Sequence, residues 1–347
     1  MGILVKQGGM LTMVQDMGRF GYQIYGISVT GASDLRAFEI GNILVGNEEN
    51  AAGLEVTMVG LQLEFTEPNV IAVTGGDIGP LLNNEPLAMY SAVAVKAGDV
   101  LRFSAFKSGF RAYIAFAGGL DVPEVFGSRS THQRCKFGGF EGRKLAANDR
   151  IGFLAPKASL PAMQARKTEP ESYCANPAVV RAVLGPQDDY FTQNGIDTFF
   201  SGTYTVTQEM DRLGARLEGP EIEHAKQAGI ISDGVAFGSV QVPANGQPIV
   251  MLADRQSTGG YTKIATVISS DIPLLAQLTP GKKVMFRQVS VEQAQEIYLE
   301  ERKKLQALKD SIAAACKEAA LLDRTLTVTV NGRTCKVRVQ EVAGFET

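Results

Sequence analysis

At 347 residues the chain is about two ordinary domains long, enough to bury a core without disulfide or metal staples. Hydrophobic residues make up 45% and charged residues 20%, which excludes a disordered chain, and a net charge of −3 leaves no basic field for nucleic acid or an anionic membrane. No apolar run approaches the ~18 residues of a membrane span, and the stretch Met1 to Gly9 has no signal-peptide pattern, so a cytoplasmic chain is expected.

Short strands and turns dominate as far as about Gln288. Leu4 to Val14 reads as a hairpin broken at Gly8-Gly9. A helix is predicted over Asp34 to Val45, with Leu35, Phe38, Ile43 and Leu44 largely on one face and Ser33 or Asp34 as its cap. Gln62 to Phe65, Val70 to Val73 and Ala92 to Val95 alternate or run apolar between breakers, and Tyr113 to Ala117 reads as a buried strand ending at Gly118-Gly119. Pro156 to Pro177 has the composition of a linker or mobile loop. Ser290-Val-Glu-Gln293 has capping-box spacing and opens a long amphipathic helix to about Leu322, whose apolar face is expected to dock on the chain itself. Alternating residues on either side of Asn331-Gly332 close the chain with a β-hairpin too small to fold unaided.

Ala97-Gly-Asp-Val-Leu-Arg-Phe103, Ala147-Asn-Asp-Arg-Ile-Gly-Phe153 and Pro280-Gly-Lys-Lys-Val-Met-Phe286 share one frame, a turn leading into a strand that ends in Phe. Gln15-Asp-Met-Gly-Arg19 is matched by Gln208-Glu-Met-Asp-Arg212, and Ser130-Thr131 by Ser257-Thr258. These repeats predict a mainly β protein in two related halves, 1–155 and 178–289, joined by the segment 156–177 and followed by the helix and hairpin of 290–347.

Cys135, Cys174, Cys316 and Cys335 are scattered without a Cys-x-x-Cys pair, and His132 and His224 are the two histidines, so no metal site is expected. Four such thiols suit a reducing compartment. There is no phosphate loop, no dinucleotide-binding glycine pattern and no nucleophile elbow. His132 reads as a loop histidine rather than a catalytic one. Chemistry-bearing side chains gather instead in Gly-rich loops: Gln15, Asp16 and Arg19; Ser128 to Thr131; and Asp254 to Tyr261. Loops at strand ends are where β folds place binding groups, and arginines there can hold a carboxylate or phosphate. The alternative, that these Asp and Arg residues pair to pin turns, stays open.

Those loops resemble the biotin-dependent carboxyltransferase-like family, which takes in the C-type subunit of bacterial 5-oxoprolinase, the KipI antagonist and allophanate hydrolase subunit 2. The resemblance rests on Val14-Gln-Asp-Met-Gly-Arg-Phe-Gly-Tyr-Gln23, Gly26 to Asp34, Leu44 to Asn47, Glu55 to Gly60, Gly118 to Pro123 and Gly127 to Thr131. It continues through Gly185 to Phe191, Asp211 to Leu217, Gly238 to Ile249 and Asp254 to Tyr261. It implies two cyclophilin-like β-barrel domains, with the long helix and hairpin as additions.

The resemblance also implies one component of a hydrolase complex, inactive alone, that joins a KipI-like partner and a LamB/YcsF-like partner to open the 5-oxoproline lactam to L-glutamate with ATP. The ATP site is not expected on this chain alone, and no covalent cofactor is expected. On that reading Arg19, Arg129 and Arg255 bind the substrate carboxylate or a developing oxyanion. Asp16 or Asp254 orients them or acts as base. Ser130, Thr131, Gln241, Gln256, Thr258 and Tyr261 complete the substrate contacts. The biotin-carrier segment Met-Lys-Met of the urea-carboxylase relatives is missing, so biotin on this chain is not expected. Two alternatives remain: a carboxyltransferase component working with a separate biotin carrier, and a regulatory binder of a KipI-like kinase inhibitor.

Overall fold

The apolar run at residues 70–73 becomes the middle of the strand Asn69–Asp77. It pairs antiparallel with Ser108–Phe116, placing Ile114 opposite Val73. The structure, a computed structural model, describes residues 2–330 and 333–340. In the first half the strands form a seven-stranded and a five-stranded sheet. Val14, Leu54, Phe65, Ile71, Phe116 and Ile151 belong to one core between them. Alternation explains the arrangement: Leu61, Leu63 and Phe65 point inward while Gln62 and Glu64 sit half-exposed.

The second half closes on itself. Ala178–Leu184 pairs with Lys283–Gln288, and the ring continues through Thr203–Val206, Gly214–Glu218, Ile249–Met251, Ser239–Val242 and Thr258–Val267. Val267 then pairs with Ala182, so seven strands make a closed barrel and remove their own edges. Val180, Phe199, Tyr204, Val240, Ile264 and Phe286 fill it. Gly229–Gly234 hangs on the outside of Thr258–Val267 as an extra strand. All three repeated turn-and-Phe frames are strands: Val100–Phe103, Arg150–Phe153 and Lys283–Gln288.

Four helices accompany the strands among the described residues: α1 (Leu35–Leu44), α2 (Gln193–Ser201), α3 (Ile272–Ala276) and α4 (Val291–Leu322). Asp34 caps α1, its Oδ1 accepting from Ala37 N at 2.9 Å. The capping box of α4 forms in both directions, Gln293 N to Ser290 Oγ at 3.2 Å and Ser290 N to Gln293 Oε1 at 3.0 Å. Leu305 and Ile312 of α4 pack against Ile40, Ile43 and Leu44 of α1, so this helix, which follows the second half in sequence, straps the first. Arg302 to Glu39 (2.6 Å) and Arg36 to Glu301 (2.9 Å) flank that contact.

The segment 156–177 is tied down at several points. Arg166 donates to Leu44 O and Pro161 O, Tyr173 donates to Asp34 Oδ2 at 3.0 Å, and Glu171 pairs with Arg36 at 2.7 Å. Composition does not reveal this, because the anchors are single residues set among Pro, Ala and Lys. Asp323–Val330 and Arg333–Gln340 pair as the expected hairpin, with Val330 opposite Arg333. Its Asn331-Gly332 turn lies outside the described residues.

Candidate functional site

The first-half loops fold around Asp16. Its side chain is buried and accepts from Gly18 N (2.8 Å), Ser128 Oγ (2.8 Å) and Arg129 N (2.5 Å). Asp16 therefore ties the loop at 15–19 to the loop at 128–131, and it is a backbone and hydroxyl of that loop, rather than an arginine guanidinium, that it orients. Thr131 adds a second tie, its amide and hydroxyl both donating to Val14 O. Gln15 Nε2 donates to Thr131 O at 3.4 Å.

Arg19 fits into the space this leaves. It is fully buried, with Nη1 donating to Thr30 Oγ1 and Nη2 to Ser130 O, both at 2.5 Å, and the guanidinium lies 4.9 Å from the Phe137 ring centre. Burial pulls its pKa down, and the charges of Asp16 and Asp254 offset that only in part. Hydroxyls surround it: Thr30 Oγ1 to Ser130 Oγ is 2.6 Å and Ser130 Oγ to Ser128 Oγ is 2.7 Å. Thr30 holds this position in the left-handed region at φ 57°, a strain of about 1–3 kcal/mol that the surrounding bonds sustain. Next to it, Gly138 has no room for a side chain, since a Cβ would strike Ser130 O and Arg19 Nη2. His132 lies tilted against Phe137, ring centres 5.1 Å apart, and accepts from Cys135 N. Burial lowers its pKa against the pull of Asp254, which favours the neutral ring. Arg129 is less covered, pairing with Glu124 at 3.2 Å at the rim.

The second half meets these loops edge to edge. Thr30 N donates to Ala253 O at 3.2 Å. Beside that bond Arg212, the repeat counterpart of Arg19, crosses into the first half. It holds Asp254 through Nε (3.0 Å) and Nη2 (2.9 Å), and it also reaches Gly31 O, Ser33 Oγ and the buried Glu55. Burial opposes charge on Glu55, but Arg212 and Arg111 outweigh it and hold the carboxyl below the usual range. Tyr113 OH donates to the same carboxylate at 3.0 Å. Asp254 thus orients Arg212, and none of the expected arginines Arg19, Arg129 and Arg255. Its side chain keeps 17% exposure, which makes it the seam carboxylate with access to solvent.

The remaining expected residues stand apart from the seam. Arg255 turns away from Asp254, donating from Nε to Val235 O at 3.1 Å. Gln241 is buried nearby and Gln256 half-buried. Thr258 and Tyr261 are exposed at the start of their strand, where Gly234 and Gly229 of the outer strand face them. The loops therefore form two groups, one around Arg19 and Asp254 and one around Arg255. Sequence reasoning passed over Arg212 and Glu55. The signal for Arg212 was its place in the repeated Gln-(Asp/Glu)-Met-x-Arg segment.

Residues 25–288 match the family described as carboxyltransferase domain, subdomain A and B. The chain belongs to that family. Within it, the chain is 37% identical over 290 residues to the C-type subunit of 5-oxoprolinase from Escherichia coli, covering 84% of this chain and 92% of that one. It is 34% identical over 303 residues to the C-type subunit of 5-oxoprolinase from Haemophilus influenzae, with 84% and 94% covered. Among solved structures it is similar to the urea carboxylase of Kluyveromyces lactis, with a TM-score of 0.81 and 28% identity over 88% of this chain. The match spans only 29% of that larger enzyme. As a carboxyltransferase-domain chain it has the β architecture of these relatives, and no helix among its described residues is long and apolar enough to cross a membrane.

Proposed function

We propose that this chain is the C-type subunit of a cytoplasmic, ATP-dependent 5-oxoprolinase, acting with a KipI-like partner and a LamB/YcsF-like partner. The observation that carries the reading is the near end-to-end match with chains named as the C-type subunit of 5-oxoprolinase. A lactam is resonance-stabilised, so direct attack by water is slow. Transfer of a phosphoryl group from ATP to the lactam oxygen releases ADP and activates the ring carbon. Addition of water and departure of the nitrogen open the ring to an acyl phosphate, and a second water releases phosphate and leaves L-glutamate.

The seam residues suit parts of this sequence. Asp254, oriented by Arg212 and open to solvent, is placed to accept a proton from the attacking water. Arg129 at the rim and Arg19 with its ring of hydroxyls supply positive potential for the developing oxyanion. Phosphate chemistry would be completed by the partner proteins, since this chain has no Gly-rich phosphate loop.

The test is glutamate release from 5-oxoproline and ATP by this chain, with and without the KipI-like and LamB/YcsF-like partners. Release is expected from the reconstituted complex and not from the chain alone. A complex that assembles fully and releases no glutamate would overturn the reading. The overlap with a urea carboxylase favours one rival, a carboxyltransferase component served by a separate biotin carrier. Capture of such a carrier together with this chain on avidin would support that rival.

A further inference from the structure

Five arginines are buried among the described residues: Arg19, Arg111, Arg166, Arg212 and Arg255. Four of them give at least one terminal nitrogen a protein acceptor. Arg19 has Thr30 and Ser130, Arg111 has Ala276 O, Arg166 has Leu44 O, and Arg212 has Glu55, Asp254 and Gly31 O. Arg255 is 7% exposed, and its one side-chain hydrogen bond within the described residues uses Nε. Its guanidinium lies 5.2 Å from the Phe237 ring centre, a contact that offsets only part of the lost hydration. Burial brings its pKa down to about 10, with no carboxylate acting against it. A buried cation without a counter-charge costs several kcal/mol, and it persists where something outside the chain supplies the missing charge.

The surroundings of Arg255 lack partners in the same sense. Gln241 is 2% exposed, and its Nε2 has no acceptor; the buried Ser257 Oγ also has no partner. These groups crowd round Val235 and Gly259. Val235 O takes the Arg255 Nε, and Val235 N donates to Ser257 O at 3.0 Å. A Cβ built on Gly259 would sit 2.5 Å from Gln241 Nε2, 3.1 Å from Val235 Cγ2 and 3.3 Å from Gln256 Nε2. Only the bare backbone at Gly259 lets the Gln241 and Gln256 amides come this close together. A guanidinium, two amide NH2 groups and a hydroxyl are all able to donate, which is the complement of an oxyanion.

We infer that Arg255, Gln241 and Ser257 form an oxyanion subsite, distinct from the Arg19 and Asp254 seam, that takes a carboxylate or a phosphate group. Asp254 and Arg255 are consecutive residues with different partners, one joined to Arg212 in the seam and one to Val235 and Phe237, just past the outer strand Gly229–Gly234. The inference rests on the proposed function for its choice of ligands: 5-oxoproline brings a carboxylate, and ATP brings phosphates. All the donors come from this chain, so the subsite is complete without partners.

The experiment is calorimetric titration of the full chain with 5-oxoproline, with inorganic phosphate, and with 2-pyrrolidone, which is the same ring without the carboxylate. Binding is expected for 5-oxoproline or phosphate at millimolar concentration and not for 2-pyrrolidone. Binding of 5-oxoproline alone assigns the subsite to the substrate carboxylate, and binding of phosphate alone assigns it to the nucleotide. R255Q should weaken that binding about tenfold or more, and Q241L severalfold. Arg255→Met, which removes an unpaired buried charge, should melt no lower than the wild type. Absence of binding by either anion, affinity unchanged in R255Q, or a clear drop in the melting temperature of Arg255→Met would each overturn the inference. None of these readouts needs turnover, so failure of the glutamate assay with anion binding intact would reject the proposed function and leave the subsite standing.

Discussion

Two acidic residues of the seam have opposite fates. Asp16 accepts three hydrogen bonds within its own half, while Asp254 is exposed enough to exchange a proton. Asp254→Asn should therefore lower turnover of the assembled complex by about 10²-fold or more with a smaller change in KM, as for loss of an acid or base group. Asp16→Asn should act first on stability, by about 1–3 kcal/mol, because a carboxamide leaves a buried donor without its acceptor. Urea melts and steady-state kinetics of both variants separate the two roles. Glu55 behaves differently again. Its carboxylate is wholly buried against Arg212 and Arg111, so Glu55→Gln should cost about 3–5 kcal/mol by leaving that charge uncompensated. The folded carboxyl titrates below its unfolded value, so the unfolded chain binds more protons as pH falls. The stability from Glu55 is thus present above roughly pH 4 and is lost as pH drops through the lower folded value. A pH series of urea melts should show a steeper acid loss in the wild type than in the variant.

At the scale of elements, α4 shows how a long surface helix divides its work. Leu305 is buried on α1, whereas Tyr298 is 47% exposed. Leu305→Ala should cost about 2–5 kcal/mol and Tyr298→Ala much less, a contrast that thermal melts would read directly. The periodicity of 291–322, the capping box at Ser290 and the cap at Asp34 were legible because each is written within four residues of chain. So were the three turn-and-Phe strands, whose frames share a turn and a closing phenylalanine. Helix α2 was not, for it is nine residues long and carries Gly195, which a helix propensity argument counts against it. That glycine is there because Glu223 O leaves no space for a side chain. The candidate loops were legible by composition, but their division into a seam group and an Arg255 group was not. Pairs such as Glu55 with Arg212 lie 157 residues apart, and nothing local marks them.

For the whole molecule, the two halves own separate cores, and what joins them is mostly polar. Gln277, just beyond α3, sits at the centre of that joint. Its Oε1 accepts from Phe110 N (2.8 Å) and Arg111 N (2.9 Å), and its Nε2 donates to Asp34 Oδ2 and Arg111 O, both at 2.9 Å. Arg212 and Glu55 make the second polar link, and α4 makes an apolar one by crossing back onto α1. With all three in place the wild type should unfold in a single transition, with fluorescence and circular dichroism coincident in urea. Gln277→Leu keeps the bulk but takes the side-chain acceptor from the Phe110 and Arg111 amides and a donor from Arg111 O, while Tyr173 still serves Asp34; each buried group left unpaired costs about 1–3 kcal/mol. Combined with Glu55→Gln, it weakens the joint at two of its polar links while leaving each core untouched; Thr30 N to Ala253 O and Arg111 to Ala276 O remain. The double variant should then unfold in two steps, the closed barrel of the second half persisting after the joint has failed. A single transition in that variant would show that the α4 strap, with the remaining bonds such as Thr30 N to Ala253 O, is enough to make the halves one cooperative unit.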